Sequence, residues 1–185
     1  MRRRTVLTLI ALTGCAGDGF TAPDPVRLPR DAVEGAGDPS NAAISRAAFS
    51  FSHPASLVGR PGDAARAIAD MEFLAAALPF DPRFQQRDPL LPDHLAQARA
   101  EWRPVLGIAP TQPAQPVIDA LYAVWRTMLA QDPASAAAAL PPGLFAPDVL
   151  SRLGALPTLP RTAFAASSAA RVRSTRDTST GRRFR

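Results

Sequence analysis

The sequence predicts an all-α protein, a small irregular bundle of about four to five helices interrupted by prolines. Several segments between residues 41 and 160 carry apolar residues at the three- and four-residue spacing of a helix. No segment of four to eight residues combines apolar–polar alternation with the β-branched residues typical of strands. The 20 prolines fall mainly between the helical segments. We therefore expect short helices joined by proline-containing turns.

Two helices are predicted on either side of the break at His53-Pro54. The first begins near Asn41, and Ile44, Ala48 and Phe51 lie near one of its faces. The second is predicted to begin at an Asp63 cap and to stop at Pro79. Its apolar residues at helical spacing are Ile68, Met71, Leu74, Ala75 and Leu78.

Residues 79–92 contain four prolines and are predicted to form a loop before a third helix. Asp93 is its expected cap, and Pro104 is expected to end or kink it at Arg103. The strongest helical pattern follows a linker and runs from Gln115 to Leu129. Its apolar stripe is too wide for a surface helix, so we expect this helix to be the central one. Short helical segments are expected over 134–140 and from Pro147 to Pro157.

Four regions are predicted along the chain: a leader over 1–14, a flexible tether over 15–40, a helical domain over 41–160 and a disordered basic tail over 161–185. The tether is rich in Gly, Pro and Asp, and the tail consists mainly of Arg, Ser, Thr and Ala. There is no Lys, and the tail holds seven Arg against one acidic residue, whereas residues 15–160 hold eleven Arg and fifteen acidic residues. An acidic body with a dispersed basic tail does not indicate a nucleic-acid-binding domain. The tail is expected either to be simply solvated or to contact anionic lipid or an acidic surface.

The most apolar run, residues 5–12, follows three arginines and precedes the only cysteine, Cys15. As a helix it would extend only ~12 Å, against a bilayer core of ~30 Å. A short basic segment, a short apolar segment and small residues near a cleavage point are typical of a secretory signal peptide.

Leu12-Thr13-Gly14-Cys15 resembles the lipobox of bacterial lipoproteins. The resemblance covers residues 1–15 only and implies cleavage between Gly14 and Cys15. It also implies a diacylglyceryl thioether on the Cys15 thiol and, usually, an acyl chain such as palmitate on the new amino group. Several acyl chains would give a stable membrane anchor. The alternative is an ordinary signal peptide that contains Cys15 by chance.

The export route and the target membrane follow from neighbouring residues. Arg3-Arg4-Thr5-Val6-Leu7 is similar to a twin-arginine motif, but such motifs arise easily in short Arg-rich leaders, so ordinary Sec export is favoured. Ala16 follows Cys15 where an Asp would favour retention in the inner membrane. The resemblance thus implies a periplasm-facing anchor in the outer membrane rather than the inner one.

Candidate catalytic groups are isolated in the sequence. His53 and His94 have no second ligand or base at helical spacing, and there is no Gly-rich phosphate loop. Asp70 and Glu72 point to different sides of a helix, with Glu72 expected to face Arg66 or solvent. Glu101 and Asp119 are expected on solvated faces. We predict no catalytic residue, no metal and no cofactor.

Trp102, Tyr122 and Trp125 are expected to form part of the core, since they lie at helical spacing in a chain poor in large side chains. The favoured hypothesis is a non-enzymatic envelope lipoprotein with a helical binding, scaffolding or assembly-accessory domain and an envelope protein as partner. The alternative is a small envelope hydrolase or ligand-binding lipoprotein with a pocket near Trp102 and Trp125, using Glu101 or His94.

Overall fold

The computed structural model describes residues 25–33 and 37–181, excluding the side chains of 175–181. Within these ranges the chain forms eight α-helices and no β-strand, apart from one isolated bridge between Pro142 and Phe145. The helices are α1 (Pro39–Ser52), α2 (Pro61–Ala77), α3 (Pro82–Gln85), α4 (Leu91–Leu106), α5 (Ala114–Leu129), α6 (Pro133–Ala138), α7 (Val149–Gly154) and α8 (Pro160–Gly181). Five of them have seven or more residues, which confirms the prediction of a small all-α bundle.

Prolines mark the starts of helices more often than their ends. A proline lies in the first two positions of α1, α2, α3, α4 and α6, where its missing N–H is one that the helix leaves unbonded in any case. Asp38, Asp81 and Asp132 precede such prolines and accept backbone N–H groups of α1, α3 and α6. The predicted cap at Asp63 is wrong, because α2 already begins at Pro61 and Asp63 lies in its first turn.

The predicted end of α4 at Arg103 is also wrong. The helix continues through Pro104 to Leu106 and ends at Gly107, which has a left-handed φ of 70°. The N–H groups of Gly107 and Ile108 bond back to the carbonyls of Pro104 and Arg103. A proline in the last turn removes only one hydrogen bond, and these closing bonds hold the helix end in place.

The central helix is α2 rather than α5. It packs on α1, α4, α5 and α7, and its buried residues occupy all sides of the helix between Ala64 and Leu74. A helix buried all round lies in the middle of a bundle. Many of these residues are alanines, which contribute little to an apolar stripe in the sequence but let neighbouring helices approach closely.

The disordered tail predicted from residue 161 is wrong for the described part of that segment. α8 begins at Pro160 and packs on α1 and α4. Its inner face consists of small side chains at helical spacing: Thr162, Ala165, Ala166, Ala169 and Val172. Alanines allow this close packing, although their modest apolar surface made the segment resemble a solvated tail.

The tether is likewise shorter than predicted. Residues 25–33 lie against the helical domain, where the backbone N–H and carbonyl of Arg27 pair with the side-chain amide of Gln115 at 2.7 and 3.1 Å. Ala32 is buried in the core, and Asp31 pairs with Arg126 on α5. The ordered domain therefore begins before Asn41. The predicted leader, Gly14, Cys15 and residues 16–24 lie outside the described residues.

Candidate functional site

Two acidic residues of the central helix, Asp70 and Glu72, are completely buried. At ~100° per residue they project from nearly opposite sides of α2, as the sequence predicted. A buried carboxylate requires cationic or hydrogen-bonding partners to offset the loss of water. Each of the two therefore has to obtain its partners from a different neighbouring helix.

Asp70 is held by α1 and α5. Arg46 donates from Nε to Oδ2 and from Nη2 to Oδ1, both at 2.8 Å. The Tyr122 hydroxyl donates to Oδ1 at 2.6 Å. Burial and the adjacent Asp70 charge raise the pKa of Tyr122 well above its ordinary value of 10.0, so the phenol remains a hydrogen-bond donor. Burial raises the pKa of Asp70, while its bonds to Arg46 and Tyr122 act in the opposite direction.

Glu72 is held by three side chains of α4. Trp102 donates from Nε1 to Oε2 at 3.0 Å, Arg99 donates from Nε to Oε1 at 2.9 Å, and Arg103 bonds both carboxylate oxygens. The expectation that Glu72 faces Arg66 or solvent is therefore wrong. These donors occupy positions i, i+3 and i+4 of one helical face, which is the signal in the sequence that could have found them.

Arg103 extends this network to the linker before α5. Besides Glu72, its Nη1 and Nη2 groups donate to the carbonyls of Ala109, Pro110 and Gln112 at 2.8–3.0 Å. Arg103 is 2% exposed, so nearly all of its donors are satisfied inside the protein. The proline-rich linker is consequently fixed against α4 by a single guanidinium group.

Neither carboxylate is available for acid–base chemistry. Each accepts at least three hydrogen bonds from protein donors and has no exposed surface. A general base must reach the proton that it removes from a substrate, and these groups are enclosed by the bundle. Their role in the described structure is to join α2 to its neighbours.

A surface groove of about 630 Å³ lies beside this second network. We call it the α2–α4 groove; it lies between the end of α2, the start of α4 and the linker before α5. Its lining residues are Val26, Ala75, Ala76, Pro79, Phe80, Pro92, Asp93, Ala96, Arg99, Pro110, Thr111, Gln112, Pro113 and Ala114. Most of these are apolar, and Phe80 is half exposed. The groove can therefore offer apolar contact with a few polar groups at its wall.

The three aromatic residues expected in the core differ in their burial. Trp102 and Tyr122 are fully buried, which confirms that part of the prediction. Trp125 is only partly buried, and the Arg66 guanidinium lies over its ring at 4.1 Å from the centroid. Neither tryptophan lines the α2–α4 groove.

The polar residues of the alternative hypothesis are placed apart from that groove. Glu101 accepts the backbone N–H groups of Arg161 and Thr162 at 3.2 and 2.8 Å, so it caps the start of α8. Its expected place on a solvated face is therefore wrong. The His94 ring packs edge-on against Phe164 with centroids 4.8 Å apart. The structure does not bring Glu101 and His94 to the indole rings as a catalytic group.

The remaining candidates make local contacts. The His53 Nδ1 lies 3.0 Å from the carbonyl of Phe49, and Asp119 accepts from Gln115 at 2.8 Å on an exposed face. No three His, Cys, Asp or Glu side chains of the described residues are grouped so as to hold a metal ion. Among the same residues, no helix combines the length and apolarity needed to span a bilayer.

Comparison with protein-family models, with curated proteins and with solved structures found no match to this chain.

Proposed function

We propose that this chain is a lipid-anchored protein of the bacterial cell envelope, attached through Cys15, whose helical domain is a non-enzymatic binding, scaffolding or assembly-accessory module facing the periplasm. The proposal for the anchor rests on the signal-peptide pattern and on the lipobox-like Leu12-Thr13-Gly14-Cys15. Because Ala16 follows the cysteine, we place the anchor in the outer membrane. No cofactor is required.

The observation that carries the binding role is the α2–α4 groove. It is an open, mainly apolar surface with few polar groups, whereas the most deeply buried carboxylates, Asp70 and Glu72, are occupied by internal partners. An open groove lined by prolines and alanines, with Phe80 exposed at its edge, suits an extended and predominantly apolar segment of an envelope protein. The charged residues of the groove lining are Asp93 and Arg99, whose side chain is 28% exposed while it pairs with Glu72.

The anchor is tested by metabolic labelling with a clickable palmitate analogue, followed by membrane fractionation. We expect the wild type to be labelled and membrane-bound, and the Cys15→Ala variant to lose both properties because the acylated thiol is absent. An unlabelled wild type that remains in the soluble fraction would contradict the anchor.

The groove is tested by placing a photo-crosslinking phenylalanine analogue at Phe80 in cells. The matched control carries the analogue at Leu129, which is even more exposed but lies at the opposite end of the α2–α5 pair. We expect a discrete crosslinked envelope protein from position 80 only. Equal crosslinking from both positions, or from neither, would contradict a partner at this groove.

The alternative of a small-molecule-binding lipoprotein is supported by one observation. The volume of about 630 Å³ falls within the range of small-ligand sites. In that case the purified protein should bind an apolar probe dye, and the Phe80→Arg and Ala75→Arg variants should bind it more weakly. The photo-crosslinking experiment should then yield no protein partner.

A further inference from the structure

A second, smaller cavity lies on the other side of α2, between α1, the turn at Pro54–Leu57 and the first half of α2. Its volume is about 170 Å³. We call it the arginine cavity, because three of its lining residues are arginines. Its polar lining residues are Arg46, Arg60, Arg66, Asp63, Asp70, Ser50 and Ser56.

The two acidic residues of the arginine cavity already have partners. Asp70 accepts both bonds of the Arg46 fork, and Asp63 lies 3.3 Å from Arg60 in an exposed ion pair. No ion pair of the described residues includes Arg66. With three guanidinium groups against two carboxylates, the lining carries an excess positive charge.

Arg66 also has too few acceptors for its donors. A guanidinium carries five N–H groups. The Nη2 of Arg66 donates to the carbonyl of Ala32 at 3.4 Å, and its planar face covers the Trp125 ring. Its Nε is buried and has no hydrogen-bond partner among the described residues. A buried donor without an acceptor is costly, so the internal contacts of Arg66 leave its donors incompletely satisfied and its charge without a counter-ion.

The volume and the charged lining of the arginine cavity suit a small anion. A volume of about 170 Å³ is large enough for a tetrahedral oxyanion with a few waters. Guanidinium groups pair with phosphate oxygens in a two-point geometry. Arg46 is bonded to Asp70 and to the carbonyl of Ala32, and Arg60 pairs with Asp63, so Arg66 is the guanidinium of this lining that has no ion-pair partner among the described residues.

We propose that the arginine cavity is a binding site for a phosphate group. Arg66 is its principal donor, and Arg60 and Arg46 contribute positive charge. The group is either free phosphate or the phosphate of a lipid headgroup. Two strongly exposed apolar side chains lie at this cavity: Phe49 lines it, and Val58 follows Leu57 of its wall. If the phosphate belongs to a lipid, these side chains can contact the apolar part of that lipid. This site does not depend on the lipid anchor or on the α2–α4 groove.

The first test titrates inorganic phosphate into the full chain carrying Cys15→Ala, at constant ionic strength. Tryptophan emission is the readout, because Trp125 contacts Arg66. We expect a saturable change in emission, at least 10-fold weaker in apparent affinity for Arg66→Gln. Arg87→Gln removes the same charge from an exposed arginine elsewhere and should leave the titration unchanged. Equal effects in both variants, or a change that sodium chloride reproduces, would overturn the proposal.

A second variant guards against a folding defect in Arg66→Gln. Arg60 is 66% exposed, so Arg60→Gln should fold normally while weakening phosphate binding several-fold. If Arg60→Gln and a correctly folded Arg66→Gln both bind phosphate as tightly as the wild type, the proposed site is contradicted.

The source of the phosphate is distinguished by sedimentation with phosphatidylglycerol vesicles. Binding that falls in both Arg66→Gln and Phe49→Ser, relative to Arg87→Gln, indicates a lipid headgroup. Phosphate binding in solution without Arg66-dependent sedimentation indicates free phosphate. Because neither assay depends on Phe80 or on acylation of Cys15, failure here is separable from failure of the proposed envelope function.

Discussion

Asp70 and Glu72 are two residues apart on α2, yet they belong to separate ion networks on opposite sides of that helix. Asp70 pairs with Arg46 of α1, and Glu72 pairs with Arg99 and Arg103 of α4. Both carboxylates are 0% exposed. The central helix is thus joined to its neighbours on two sides by buried charge as well as by apolar packing.

The Glu72 network leads to the first prediction. Glu72→Gln should lower the free energy of unfolding by about 3 kcal/mol, because it leaves the buried Arg103 guanidinium without a carboxylate. Urea unfolding followed by tryptophan fluorescence measures the change. As the control, Asp63→Asn removes an exposed partner and should cost less than about 1 kcal/mol. Similar decreases in the free energy of unfolding of the two variants would show that the buried Glu72 network contributes no more stability than an exposed ion pair.

The ionisation of Tyr122 leads to the second prediction. Its pKa is raised by burial and by Asp70, so the folded protein retains the phenolic proton where a free tyrosine loses it. The contribution of the protonated Tyr122 phenol to the free energy of unfolding is complete below the unfolded-state pKa near 10. It is lost as the pH rises toward the folded-state pKa. Stability should therefore fall above about pH 10, and this fall should be smaller in Tyr122→Phe.

Ultraviolet absorbance at alkaline pH measures this directly, since Tyr122 is the only tyrosine in the chain. The tyrosinate band should appear together with the loss of helical circular dichroism. A tyrosinate band that develops near pH 10 while the helices remain intact would contradict the buried hydrogen bond to Asp70.

The end of α4 leads to the third prediction. Gly107 has φ 70°, and a Cβ there would lie 2.6 Å from the Ala146 Cβ and 2.7 Å from the Ala146 backbone nitrogen. Gly143 has φ 82°, but a Cβ there meets no atom within 4 Å. Gly143→Ala should therefore cost about 1 kcal/mol from backbone strain alone, and Gly107→Ala about 3 kcal/mol from strain and overlap. Thermal unfolding of the two variants compares them, and equal shifts in Tm would rule out the close approach to Ala146.

The packing of α8 leads to the fourth prediction. Ala166 is fully buried, so Ala166→Asp should destabilise the protein by at least about 3 kcal/mol through an unpaired buried charge. Ala100→Asp, on an exposed position of α4, should cost only about 0.7 kcal/mol in helix propensity. Chemical denaturation of both proteins checks this, and tolerance of Asp at 166 would restore the prediction of a disordered tail.

The sequence-based predictions succeeded where large apolar residues set the helical period. The helices around Met71, Trp102 and Leu121 were all recognised, because their side chains are large enough to make a face visible. Where alanine forms the buried face, the sequence predicts wrongly: it indicates a disordered tail over α8 and a central position for α5, whereas the structure places α2 at the centre. An alanine is equally compatible with a solvated helix and with a tight contact, so only its neighbours decide between them.

The two ion networks were missed for a related reason. Arg46, Arg99 and Arg103 bind carboxylates that lie 24 to 31 residues away in the sequence, and the i, i+4 spacing of Arg99 and Arg103 indicates only a shared helical face, not the residue that this face meets. Arg66 in particular acquires its surroundings from two distant segments, through the carbonyl of Ala32 and the ring of Trp125.

The sequence by itself determined the helical class, the approximate extent of the large-residue helices and the expectation of a lipidated leader. These properties depend on composition and short-range spacing, which local physical chemistry can interpret. Only the tertiary structure decided which helix is central, where the buried charges find partners, how α8 packs and where the α2–α4 groove and the arginine cavity form. Each of these depends on contacts between distant residues, and the free energy of burying a charge or an alanine is set by what the fold places against it.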